Sequence, residues 1–428
     1  MSRRKRFRWA RTLGAVVAGA ALVVALAPTA PAQSTGTNVL QVGALLSITG
    51  GGSSLGNTSR AALEVATARW NQRLKNSGTQ VKLDIVDTGQ DPTRAVAGFQ
   101  ELAAQGVRII IGPQSSSEVA ALQPLVNAQG VLLVSQGSTA SSLAIPNDNV
   151  FRFVPNDHVE GRTSTDLIVK QGVRQLVPLW RDDRGNVGLA DSVRAAAGAS
   201  GIHVTPGFQY EPSTTDYGPA LQAVAAQVAA ASQQVGAAHV GVYLAGFEEV
   251  ADVFAAAHAM PGLANVRWYG ADGSAQATQL IDNANSAAFA TAVKGFPSPL
   301  VALSAANEQR YAALIRQIKR VAHAPPDAFA LAAYDGFNVA VQTLRSTPAN
   351  VSGPALRSAF AAAASGFRGV TGTIQLDPSG DRASEPYAYW SICRAGSTRA
   401  SWVSTGTWTP NPSDPTGPGK VSGGNCPG

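Results

Sequence analysis

Apolar residues fall into short unbroken runs, separated by longer stretches in which they recur at helical spacing. Residues 39–46 (VLQVGALL), 81–87 (VKLDIVD), 107–112 (VRIIIG) and 131–135 (VLLVS) have the length and β-branched content of strands buried on both faces. Residues 60–74, 93–105 and 117–129 between them read as amphipathic helices. This alternation predicts a parallel, doubly wound sheet. The series restarts after Asn156, with helices over 159–171, 187–197, 218–230 and 248–259 and strands over 176–179, 202–205, 240–245 and 266–269. Two α/β lobes meeting near residues 151–157 follow.

The chain has 428 residues, enough for two ordinary domains, and its 45% hydrophobic and 14% charged residues describe a packed globular protein. Residues 1–32 read as an export signal: Arg3, Arg4, Lys5, Arg6, Arg8 and Arg11 form a basic head, residues 13–26 an apolar stretch, and Ala30-Pro31-Ala32 a small-residue exit. Cleavage is expected near Gln33, with retention as a membrane tether the alternative. Those six basic residues account for the whole net charge of +6, so the mature chain is near neutral and offers no electrostatic reason for a nucleic-acid partner.

Export also bears on the two cysteines, Cys393 and Cys426, which are expected to form a structural disulfide holding the Pro/Gly-rich tail, 411–428, to the body.

Ligands on doubly wound sheets bind beyond the carboxyl ends of the strands. Two such ends are rich in hydroxyls. After the strand ending at Gly112 come Ser115, Ser116 and Ser117 at the start of a helix, where free amides, the helix dipole and hydroxyls can seat an anion such as a carboxylate. One serine there would serve as an N-cap in any case. The next strand end carries residues 136–142 (QGSTASS), which alone is ordinary turn chemistry.

The segments GALLSITG, SSLG, SRAALEVA, DTGQDPTRAV, IIIGPQSSSEVAALQPL, GVLLVSQGSTASSL, FRFVPND, TDYGPAL, AAYDGFNVA and GTIQLDPSGD occur in this order between about Val39 and Tyr389. Together they resemble the type I periplasmic solute-binding proteins, specifically the leucine/isoleucine/valine-binding receptors of ABC importers. The resemblance implies an α/β fold of two Rossmann-like lobes joined by a three-strand hinge, with crossovers near Asp157, Pro297 and Arg382. Lobe 1 would comprise 38–157 and 299–381, and lobe 2 158–297 and 383–410, with helices over 305–321 and 326–344 returning to lobe 1.

The resemblance also implies an amino acid, or a related small polar carboxylate, held in the cleft. Its carboxylate would meet Ser116, Gly137 and Thr139, with Ser115 and Ser117 alongside, and its ammonium would meet Asp272. Leu55 and Phe247 stand where the family usually has tyrosines, which leaves side-chain specificity open. The implied partners are that solute and a membrane permease. A monomer is expected, exported to the periplasm or cell exterior, with no cofactor or metal. A receptor's ligand-sensing partner, or an importer component for amides or aromatic acids, would use the same lobes.

Enzyme readings find little support. The loop Thr49–Gly56 approaches a dinucleotide-binding turn, but Ser54 replaces its middle glycine and no Tyr-x-x-x-Lys occurs. Gly52-Ser53-Ser54-Leu55-Gly56 fits G-x-S-x-G but follows the first strand, unlike a nucleophile elbow. The five histidines show no metal-ligand or catalytic spacing.

Overall fold

The computed structural model describes residues 38–427 except 384, 395, 397, 398, 415 and 416. The leader, with its expected cleavage, lies outside the described residues.

Strands β1 (Asn38–Leu46), β2 (Thr79–Asp87), β3 (Ile109–Ile111), β4 (Leu132–Ser135) and β5 (Val150–Arg152) form a parallel sheet in the order β2-β1-β3-β4-β5. The crossovers are α1 (Ser53–Leu74), α2 (Pro92–Ala104) and α3 (Ser116–Gln129). Both faces of the sheet are covered. One core joins Val42, Ile109 and Val134 to Trp70, Phe337 and Phe360, and another joins Leu45, Ile110 and Leu133 to Phe99, Leu102 and Leu122. Helix α1 begins seven residues before the expected start. Its first turn holds Ser53 and Ser54 over the end of β1, and the serines gave no apolar period to read.

The second lobe repeats this plan. After α4 (Asp157–Lys170), strands β6 (Gln175–Arg181), β7 (His203–Val204), β8 (Phe208–Tyr210), β9 (Val240–Ala245) and β10 (Arg267–Gly270) pair in parallel in the order β10-β9-β6-β7, with β8 also on β6. Helices α5 (Arg184–Ala199), α6 (Gly218–Val235), α7 (Val250–Ala257), α8 (Gln279–Asp282) and α9 (Ala284–Ala292) flank the sheet. Val177, Val242, Phe254 and Trp268 pack on one face, and Leu176, Tyr243, Leu189 and Tyr269 on the other.

Strand β11 (Ser298–Val301) then leads into α10 (Ala305–Arg310), α11 (Ala312–Ala322), α12 (Ala328–Ser346) and α13 (Gly353–Ala364), which pack on the first sheet through Leu314, Phe337, Leu356 and neighbours. The helix expected over 305–321 is broken at Tyr311, and α13 was not anticipated. A short hairpin, β12 (Arg368–Gly369) and β13 (Gly372–Thr373), precedes β14 (Tyr387–Cys393), β15 (Ser401–Thr409) and β16 (Lys420–Gly423). These last three strands form an antiparallel sheet with β11 in the order β11-β14-β15-β16. Tyr387, Tyr389 and Trp408 join the core of the second lobe. The tail is more than a pinned coil, since β16 extends this sheet. Cys426 is bonded to Cys393 at the end of β14.

Where the chain passes between lobes, its segments pair with one another. Arg152 bridges Asp381 in parallel, the Arg152 amide donates to Gly380 O and that of Arg382 to Arg152 O. The Arg152 guanidinium and Asp381 carboxylate form an ion pair in which both side chains are at most 2% exposed.

Candidate functional site

The strand ends of the two sheets face each other across a cleft, and one cavity lies between them. Its walls include Gln114, Ser115, Ser116, Gly137, Thr139 and Phe329 from the first lobe and Gly185, Asn186, Leu189, Phe247, Asp272 and Gly273 from the second. Six of the residues anticipated from sequence therefore come together: Ser115, Ser116, Gly137, Thr139, Phe247 and Asp272. Ser117 and Leu55 do not border it. Leu55 is buried in the first turn of α1 and lines a separate apolar cavity beside Trp390 and Trp402. The central cavity is only about 20 Å³, room for about one water-sized group. The lobes are thus drawn together, and an amino-acid-sized solute needs them to part.

The first-lobe wall is built where β3 and β4 end. Gly112 turns the chain out of β3 at φ +90°, and a Cβ there would lie 2.0 Å from Leu45 O, so only glycine fits. The three serines that follow have different tasks. Ser115 is the N-cap of α3 in a capping box with Glu118, its Oγ donating to Glu118 Oε2 at 2.5 Å and accepting from the Glu118 amide. Ser116 Oγ hydrogen-bonds Ser138 Oγ at 3.0 Å and accepts from the Ala140 amide, tying the two loops together. Ser117 Oγ accepts from the Arg184 amide of the second lobe at 3.2 Å. The amides of the first α3 turn point toward the cavity end of the helix with the positive end of its dipole. Gln114 adds a buried carbonyl, Oε1, with no partner among the described residues.

The second-lobe wall is acidic. Asp272 follows β10 in a short 3₁₀ turn and is 8% exposed, so it is no surface Asp-Gly turn. Burial raises its carboxyl to about 6, against a hydrogen bond from Glu160. Phe247 follows β9, with the Arg181 guanidinium 5.2 Å from its ring centre. The charged loop after β6 builds the wall beside it. Asp183 caps α5 by accepting from the amides of Gly185 and Asn186 and from Asn186 Nδ2, which fixes two lining residues.

The glycine-rich loop of 50–54 also has a task. Helix α1 has Gly52 at its N-cap and no side-chain cap of its own. Glu248 of the second lobe supplies one: the Ser54 amide donates to Glu248 Oε1 at 2.6 Å and Ser53 Oγ to Oε2 at 3.1 Å. Gln279 Nε2 donates to the same carboxylate at 2.5 Å, and its Oε1 accepts from Ser54 Oγ. These contacts latch the mouth of the cleft.

Sequence reasoning missed Gln114, Gly185, Asn186, Leu189, Phe329 and Gly273 on the walls and Glu248 in the latch. Gln114 and Gly273 each adjoin a residue that was singled out, so a search of whole strand-end loops would have found them. Phe329 reaches the cavity only because α12 returns to the first lobe.

The sequence model of the periplasmic binding protein family matches residues 39–396. The chain belongs to that family. This bears out the resemblance noted above, and the type I fold is shared with solved structures. A leucine-binding protein, LivK, of Thermotoga maritima superposes with a TM-score of 0.69 at 18% identity, covering 85% of this chain and 98% of that one. A solute-binding protein of an ABC transporter from R. palustris, solved with benzoate, superposes with a TM-score of 0.69 at 16% identity, covering 91% and 99%. An uncharacterized protein of Methanocaldococcus jannaschii is 27% identical over 391 residues, 87% of this chain and 90% of its own length. Members of this periplasmic binding protein family are solute-binding receptors, a role that implies an extracytoplasmic location and a permease partner. No helix among the described residues is long and apolar enough to cross a membrane.

Proposed function

We propose that this protein is the receptor of an importer, capturing an amino acid or a similar small polar carboxylate by closing its lobes and presenting it to a membrane permease without chemical change. The observation that carries this reading is the pairing of opposite walls. The start of α3, with Ser116, Gly137 and Thr139, offers amides and hydroxyls to a carboxylate, and Asp272 across the cavity offers a buried carboxylate to an ammonium. A zwitterion meets both walls at once only when the lobes come together around it, which gives it differential affinity for a closed form wide enough to hold it and therefore the power to shift the lobes.

Thermal-shift measurements against the common amino acids and small carboxylates test it. A melting increase is expected with at least one amino acid. Asp272→Ala should weaken that solute about a hundredfold, the loss of a charge-assisted hydrogen bond in a buried site. No shift across the panel would count against the reading.

A further inference from the structure

Two more carboxyls stand behind Asp272. Asp157 and Glu160 of α4 are both 0% exposed. The Asp272 amide donates to Glu160 Oε1 at 3.0 Å. Asp157 Oδ2 accepts from the Ser141 amide and occupies space left by Gly188, where a Cβ would come within 2.3 Å of it. Three atoms of this group have no partner among the described residues: Asp157 Oδ1, Glu160 Oε2 and the hydroxyl of fully buried Tyr243 on β9. The other ionisable groups facing the cluster are Tyr387 of β14 and Arg152 of the hinge, and Arg152 is committed to Asp381. No Lys or Arg forms an ion pair with any of the three carboxyls among the described residues.

Three buried carboxyls without a cation cannot all be ionised, so their neutralisation is shared within the group. Burial raises Asp157 to about 7 and Glu160 well above the ordinary range, with the charge of Asp272 adding to both. A proton is one way to neutralise the group. A protonated amine at Asp272 is another.

We propose that Asp157 and Glu160 determine specificity through Asp272: the cluster holds a proton in the solute-free protein, and a solute is accepted when its protonated amine displaces that proton into water. This rests on the receptor reading above and narrows it to amine-bearing solutes. Benzoate and other carboxylates without an amine bring no cation to Asp272 and leave the proton on the cluster.

Calorimetric titration with each common amino acid and with benzoate, in buffers of different ionisation enthalpy, tests the exchange. Amino-acid binding should release up to one proton and weaken about tenfold between about pH 7.5 and 5.5. The Asp157→Asn/Glu160→Gln double variant keeps neutral hydrogen-bonding groups in place and should bind with a pH dependence below about threefold over that range. Glu160→Gln alone, expected to lie between the two, serves if the double variant fails to fold by circular dichroism. Amine binding without proton release, an undiminished slope in the folded variant, or benzoate binding in preference to amines overturns the proposal. A panel with no binding removes the receptor reading and this inference together, whereas pH-independent amine binding removes this inference alone.

Discussion

At the hinge, Arg152 and Asp381 tie together two of the segments that cross between the lobes, buried among paired backbone, whereas at the cleft mouth the lobes themselves are joined by Glu248, Gln279 and Arg184 acting on serines and backbone atoms of a partly exposed edge. The first set is desolvated, so breaking it leaves an unmatched charge with no water to receive it. The second set exchanges its partners for water whenever the lobes part, at low net cost. The difference separates what must persist through opening from what must let go. It also assigns the glycine-rich loop of 50–54, which resembles enzymatic turns in sequence, to the reversible side, where it receives a carboxylate from the opposite lobe.

Arg152→Ala should test the contrast most severely. It leaves Asp381 buried without its cation and should cost about 3–5 kcal/mol of folding stability, read by chemical denaturation. A loss near zero would mean that water reaches the hinge. Glu248→Ala removes the cap that α1 receives only when the lobes are closed. It should weaken an identified solute by up to about tenfold while shifting the melting temperature little, with the solute-free form more open by small-angle scattering. If folding stability fell as far as in the Arg152 variant, mouth and hinge would be one permanent interface. Arg184→Ala should have the smallest effect, about twofold or less on affinity, because it removes only an exposed guanidinium bond to Ser142 Oγ and keeps the backbone amide that donates to Ser117. Stability without solute should respond to the acid cluster as well. Folded-state values raised above the ordinary carboxylate range mean that the folded protein binds more protons, so this contribution is present at low pH and is lost as pH rises through about 6 to 7. Denaturation of the Asp157→Asn/Glu160→Gln variant, compared with the parent at about pH 5 and pH 8, reads that slope.

The first-lobe rim was legible because it is local. Strand, glycine, serine cluster and helix follow one another from 109 to 129, so the strand-end rule reaches Ser115 and Ser116 directly. The second-lobe rim was harder. Its wall draws on loops after β6, β9 and β10, and only Phe247 and Asp272 could be singled out, through the family resemblance. Leu55 shows how that route can mislead: it stands at an expected cleft position, but the first turn of α1 directs it to the cavity beside Trp390 and Trp402. Asp157 marked a crossover in the sequence and gave no sign of facing Asp272.

Strand and helix alternation, the two-lobe α/β class and the hydroxyl-rich strand ends were determined by the sequence alone, since each depends on residues close in the chain and on periodicity. The tertiary structure alone decided that Glu248 would cap α1, that Arg152 would meet Asp381 across 229 positions, and that Asp157, Glu160 and Asp272 would share one desolvated space. Those pairings join residues whose separation carries no periodic signal, and their energies come from burial, which exists only once both lobes have packed.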